Sequence, residues 1–228
     1  MKKIYLIISM IVVSMMMSCN PKDDGDNSTP GGNGNNGDDD NSGGLINGYE
    51  YVDLGLPSGL KWATYNVGAD KPEGYGDYFA WGETSTKAEY TEENSVTYGQ
   101  QISDISGNAI YDAATANWGG SWRMPTTGEI KQLVVCCEWE WTQLNGVNGI
   151  KGVGLNGNSI FFPASGYRVE SSLYDYGEAC HCWSSMPNID DDHLNENIYA
   201  HTLYLNIDFH RDSYGYRYAG IPVRPVSE

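Results

Sequence analysis

The chain has 228 residues, with 30 Asp and Glu against 13 Lys and Arg and a formal net charge of −17. So acidic a surface repels nucleic acid phosphates and anionic lipid, which excludes a polyanion-binding protein and leaves neutral sugars, cations or basic partners. The seven Trp and most of the seventeen Tyr follow residue 44, among abundant Gly and Asn, a mixture that suits short strands, tight turns and aromatic packing.

The chain opens MKKIYLIISMIVVSMMMS, followed by Cys19. Lys2 and Lys3 make a positive n-region, and residues 4–17 form an apolar run broken only by serines. The run is shorter than the roughly 20 residues a membrane span requires, and it fits the h-region of a secretory signal peptide. Met16-Met17-Ser18-Cys19 is similar to a bacterial lipobox, in which the cysteine is lipidated and becomes the new N-terminus. Residues 1–18 are therefore expected to be a lipoprotein signal peptide. Residues 19–44, from lipidated Cys19 through NPKDDGDNSTPGGNGNNGDDDNSGG, read as a flexible acidic tether that cannot bury a core. Pro21-Lys22-Asp23-Asp24 resembles the acidic signals that send lipoproteins to the outer face of an outer membrane.

Residues 45–228 read as a single domain, long enough to bury a core without staples. Residues 49–67, YEYVDLGLPSGLKWATYNV, place Pro-Ser-Gly turn chemistry between alternating segments, which predicts a hairpin. Tyr78-Phe79-Ala80-Trp81 predicts a strand, residues 84–107 a long polar loop, and residues 112–117 a short helix. Next comes NWGGSWRMPTTGEIKQL. Thr126 and Glu129 have the spacing of a capping box, and Ile130, Leu133, Val134 and Cys137 fall on one helical stripe. Gly119 and Gly120 allow a tight approach between Trp118 and Trp122. Arg123 needs a carboxylate if it is partly buried, with Asp112 and Glu129 the candidates. Trp118, Trp122, Arg123, Thr126 and Glu129 thus read as a structural clasp, not a catalytic set. Further on, Asn-Gly pairs predict hairpins around residues 150–153 and 160–162. Residues 199–209 alternate Tyr199, His201, Leu203, Leu205, Ile207 and Phe209 against Thr202, Tyr204, Asn206 and Asp208. Residues 221–226 close the chain as a last strand. Few helices and many antiparallel strands make the class α+β.

YVDLGLPSGLKWATYNVG, YFAWGE, DAATANWGGSWRMPT, NGVNGIKG, NGNSIFFPASGYR, WSS and VRPV, in this order, strongly resemble the Fibrobacter succinogenes major paralogous domain, common in lipoproteins of gut Bacteroidetes. WRMPT followed by a helix is also similar to a segment of the formylglycine-generating enzyme family. The resemblance implies a C-type-lectin-like fold: two helices flanking antiparallel β-structure, with long loops on one face. It brings no catalytic residues. The copper-holding cysteines of the formylglycine-generating enzymes have a different spacing from Cys180-His181-Cys182, and the calcium-lectin signatures Glu-Pro-Asn and Trp-Asn-Asp are missing.

Two metal readings remain. Cys180, Cys182 and a histidine could hold zinc, but no second CxxC or HxxxH accompanies them. Asp190, Asp191 and Asp192, with Asn188, Asn195 and Glu196, could hold calcium, but without a regular D-x-D-x-D-G pattern. Cys136, Cys137, Cys180 and Cys182 could pair between helix and strand, with no connectivity derivable. No nucleophile elbow, HExxH or phosphate loop is present, so no enzyme, cofactor or resident metal is expected. The expectation is a surface-anchored lipoprotein of the outer membrane, binding a glycan or a surface protein through a non-catalytic module. A formylglycine-generating-enzyme-like oxidoreductase and a structural part of an outer-membrane assembly are the alternatives.

Overall fold

A computed structural model of the chain describes residues 43–189 and 197–228. Strands β1 (Gly43–Ile46) and β2 (Tyr49–Asp53) form a hairpin, and β3 (Lys61–Ala63) pairs with β2 beyond the Pro-Ser-Gly turn, with Trp62 opposite Val52. β1 reaches into the segment read as tether: Gly43 and Gly44 stand opposite Val52 and Tyr51.

Residues 64–112 hold turns, bends and isolated bridges. The strand expected at Tyr78–Trp81 is one bridge, Phe79 to Ile221, because Trp81 turns its amide to the Arg217 carbonyl at 2.8 Å and no ladder continues. Helix α1 (Ala113–Trp118) starts where the Asp112 carboxylate accepts from the amides of Ala114 and Thr115. Helix α2 (Thr127–Cys136) starts at the Thr126 cap. It buries Ile130, Leu133 and Cys136, whereas Cys137, expected on the helical stripe, is the extended C-cap residue.

Strand β4 (Glu138–Leu144), not anticipated above, is joined to β5 (Val147–Val153) by Asn145 and Gly146. Their φ angles of 49° and 82° are the left-handed pair that a two-residue hairpin turn demands. β6 (Ser159–Pro163) completes this meander. A small hairpin of β7 (Tyr167–Val169) and β8 (Ser172–Tyr174) follows, then β9 (Cys180–Pro187), β10 (Tyr199–Leu205), β11 (His210–Tyr216) and β12 (Val226–Ser227). β10 stops at Leu205 because Asn206 Oδ1 accepts from the amides of Asp208 and Phe209 at 2.9 and 2.7 Å, a local turn that competes with the ladder. Ile207 and Phe209, expected to continue the alternation of this strand, lie beyond its end and are exposed. The closing strand expected at 221–226 shrinks to β12 because Pro222 and Pro225 have no amide to give a ladder.

The class is α+β: two short helices and antiparallel sheets in the orders β1-β2-β3-β12, β4-β5-β6, β11-β10-β9 and β7-β8. Among the described residues no helix is long and apolar enough to cross a membrane. The core has two parts. One gathers Leu54, Trp62, Ile130, Leu133, Phe162, Leu203 and Leu205; the other gathers Phe79, Trp81, Trp118, Trp122, Met124, Trp183 and Ile221.

Two arginines near the C-terminus are fully buried and join these parts to the surrounding backbone. Arg224 donates from Nε to Asn66 Oδ1 at 2.8 Å, from Nη1 to the Ala63 and Thr64 carbonyls at 3.2 Å each, and from Nη2 to the Phe161 carbonyl at 3.1 Å. Its guanidinium lies 4.5 Å over the Phe162 ring. Arg217 does the same in the other part: it lies 4.5 Å over Trp81 and donates to the carbonyls of Tyr199, Thr97 and Gln100. Arg224→Ala should cost about 4 kcal/mol in urea denaturation, since it strands four buried acceptors and opens a cavity. Arg224→Lys should recover little, because an ammonium cannot reproduce the planar fork. A loss under about 1 kcal/mol in the alanine variant would refute this account.

Candidate functional site

The segment around Arg123 is a clasp. The backbone of Arg123 exchanges bonds with Val226 at 3.0 and 2.9 Å, which holds the segment against the C-terminal strand. The guanidinium grips Glu129 with both nitrogens, Nη2 to Oε1 at 2.7 Å and Nη1 to Oε2 at 2.9 Å. Glu129 Oε2 also accepts from the Thr126 amide at 2.7 Å, and Thr126 Oγ1 accepts from the Glu129 amide at 3.3 Å, closing the capping box. Asp112, the other candidate partner, is occupied by the amides of Gly107, Ala114, Thr115 and Met124. Trp118 stacks on Tyr49 at 4.0 Å and meets Trp122 edge-on at 5.3 Å, and Trp122 Nε1 donates to the Ile46 carbonyl at 2.8 Å. Gly119 and Gly120, at φ 64° and 61°, turn the chain between them. A Cβ on Gly120 would lie 3.2 Å from Asn47 Cβ.

The tryptophans are buried, and the Arg123 and Glu129 side chains, each 18% exposed, form a partly buried ion pair. Burial opposes ionisation of Glu129, yet the bonds from Arg123 and Thr126 outweigh it and hold the carboxyl below its ordinary value. A carboxyl depressed in this way stabilises the fold above its unfolded pKa, and the contribution fades as pH falls through its folded pKa. Between pH 7 and pH 3 the wild type should therefore lose about 1 kcal/mol more stability than Glu129→Gln, the modest size reflecting solvent screening. Parallel pH profiles for the two proteins in urea would contradict this.

The cysteines look inward. Cys180 and Cys182 stand opposite Leu205 and Leu203 and are buried, and Cys180 Sγ donates to the Phe162 carbonyl at 3.1 Å. Burial pushes the Cys182 thiol up to about 12, the Cys137 thiol to about 12 and the Cys180 thiol well above its ordinary value. Thiols in that state stay protonated and make poor ligands or nucleophiles. His181 alternates onto the opposite face of β9, so the Cys-His-Cys run does not converge on one point. Asp190, Asp191, Asp192, Asn195 and Glu196 lie outside the described residues, as does Cys19.

The strongest concave site lies elsewhere. Register places Thr202 and Tyr204 of β10 beside Ser213 and Arg211 of β11, all on one face of the sheet, with His181 of β9 opposite Tyr204. The β7–β8 hairpin adds Tyr167 and Val169, and the turn after it adds Asp175; together they enclose a cleft of about 450 Å³. His181 meets Tyr204 at 5.0 Å and Tyr167 at 5.1 Å, both edge-on, and Tyr167 stacks on Tyr174 at 5.5 Å. His181 Nε2 lies 3.3 Å from Asp175 Oδ2, a contact that lowers the Asp175 pKa against the opposing effect of burial. Arg211 lies 5.4 Å over the Tyr204 ring and, among the described residues, makes no ion pair. Rings, hydroxyls, one anion and one free cation therefore converge in one hollow. A second hollow of about 420 Å³, near Thr64, Thr142, Leu144, Lys151 and Phe161, brings no comparable set together.

Sequence reasoning missed the cleft. The alternation of residues 199–205 did group Thr202 with Tyr204, and the tyrosine-rich end of β11 gave a further signal; only the pairing of β9, β10 and β11 assembles them. Comparison with family models, curated proteins and solved structures finds no match for this chain.

Proposed function

We propose that this chain is a lipid-anchored bacterial surface protein whose domain is a non-catalytic carbohydrate-binding module on a C-type-lectin-like frame. The observation that carries the reading is the tyrosine-rich cleft, where Tyr204, Tyr167 and His181 surround a hollow with Asp175, Arg211, Thr202 and Ser213 at hand. A sugar offers an apolar ring face and a rim of hydroxyls. Aromatic side chains take the first and short polar or charged groups take the second, the usual division of labour in small-ligand sites. The acidic surface favours a neutral sugar over a polyanionic one.

The lectin-like frame is supported by the two short helices, the mostly antiparallel sheets, the long irregular stretch 64–112 and the sheet in which N-terminal β1, β2 and β3 are joined by C-terminal β12, which pairs with β3. The ordered motifs that resemble those of the Fibrobacter succinogenes major paralogous domain point the same way. An oxidoreductase of the formylglycine-generating kind finds less support, since Cys180 and Cys182 face the core with raised pKa values. Membrane attachment rests on Lys2, Lys3, the short apolar run and Ser18-Cys19. Durable anchoring needs more than one acyl chain, which the diacylglycerol of a lipidated cysteine supplies.

Binding of the full chain to an array of neutral glycans should be saturable, and Tyr204→Ala should weaken it about tenfold or more, equivalent to losing ~1.4 kcal/mol of contact. An array with no saturable signal, beside a protein captured in stoichiometric complex, would replace the carbohydrate reading with a protein-docking one. Separately, Cys19→Ala should leave the chain poorly processed or released from the outer membrane fraction. If the variant still fractionated with that membrane at mature size and wild-type level, the lipid anchor would be wrong.

A further inference from the structure

The cleft is continued by a row of tyrosines that the clasp, the core and the cleft floor do not use. Tyr214 and Tyr216 alternate onto one face of β11, the edge strand of its sheet, beside Tyr199 of β10. The Tyr199 ring lies 5.3 Å from Tyr214 and 4.6 Å from Tyr216. Tyr216 stacks on Tyr218 at 5.1 Å and 17°, and Tyr218 meets Tyr98 edge-on at 5.5 Å. Tyr214 is 60% exposed and Tyr216 is 40% exposed. Alternation sets Tyr199, Tyr214 and Tyr216 on the face opposite Thr202, Tyr204, Ser213 and Arg211, and the row reaches the cleft around the free edge of β11, where both sets border the same hollow. A monomeric sugar would leave this surface unused.

We infer that the ligand is a linear neutral glycan of several units, one held in the cleft and the following ones laid along Tyr214, Tyr199, Tyr216, Tyr218 and Tyr98. The inference rests on the carbohydrate reading of the cleft. Continuity with that cleft and the charge of the row identify the occupant. Among the described residues Arg211 is the one lysine or arginine lining its cleft end, Glu92 stands beside Tyr98 at the other end, and the chain as a whole carries −17, so a sulfated or uronate polymer would be repelled along its length. The tyrosine hydroxyls and outer ring faces suit a polyhydroxylated chain. Each ring is held by its neighbour, so little side-chain freedom is lost on binding.

The test is calorimetry on the full chain with neutral β-1,4-linked gluco-, xylo- and manno-oligosaccharides of two to six units. Affinity for the bound series should rise by about tenfold or more from two units to six. Tyr98→Ala should abolish the gain from the last units and leave the two-unit affinity unchanged. Tyr216→Ala should remove most of the gain, and Tyr216→Phe should keep it; if the alanine variant fails to fold, Tyr98→Ala and Tyr216→Phe carry the comparison. Binding that is independent of length, or Tyr98→Ala weakening two- and six-unit ligands alike, would overturn the extended site while leaving the cleft reading intact. No binding at any length would remove both.

Discussion

A buried guanidinium without a carboxylate is the constraint on which the rest of this fold depends. Burial alone pulls Arg224 down to about 10, because no carboxylate compensates the loss of water. It stays acceptable only while carbonyls and an amide oxygen surround it, since an unsatisfied buried charge is prohibitively unstable. Those acceptors come from Ala63, Thr64, Asn66 and Phe161, so the end of β3, the turn after it and the middle of β6 must all arrive at one point. Arg217 sets the same demand on the other core part, through Trp81 and the carbonyls of Thr97, Gln100 and Tyr199. Because Arg217 points inward, Tyr216 and Tyr218 on either side are turned outward, stacked on one another. The interior charge thereby orients the outer aromatic surface.

What the sequence disclosed and what it concealed divide along one physical line. Local chemistry was readable. The Thr126–Glu129 capping box, the Asp112-headed helix, the β2–β3 hairpin and the Trp118–Trp122 approach each follow from residues a few positions apart. The grip of Arg123 on Glu129 was readable for the same reason, at a separation of six. Arg224 and Arg217 were not, because backbone carbonyls are their partners and a carbonyl leaves no signature in sequence. β4 was overlooked although Glu138, Trp139, Glu140 and Trp141 alternate, because a helical stripe ran straight into it. Prolines 222 and 225 in the last segment were a visible objection to a long closing strand.

The cleft obeys the same division. Tyr167, Asp175, His181, Tyr204 and Arg211 come from the β7–β8 hairpin, the turn after it and three strands. No spacing rule relates them, and only the ladder of β9, β10 and β11 makes neighbours of His181, Tyr204 and Arg211. The residue types that drew attention first, cysteines between aromatics, prove to be core packing, whereas ordinary tyrosines form the concave surface.

The contact between Arg224 and the Ala63 carbonyl joins residues 161 positions apart. Such pairings are the slow ones, because the intervening chain must lose its freedom before any bond rewards it. A polypeptide made N-terminus first has β3 in place early, with its acceptors still facing water. The segment that completes them, with β12 directly behind it, arrives last. Assembly is therefore a waiting process: the domain remains incomplete, its tryptophans open to proteases and chaperones, until its final stretch is available.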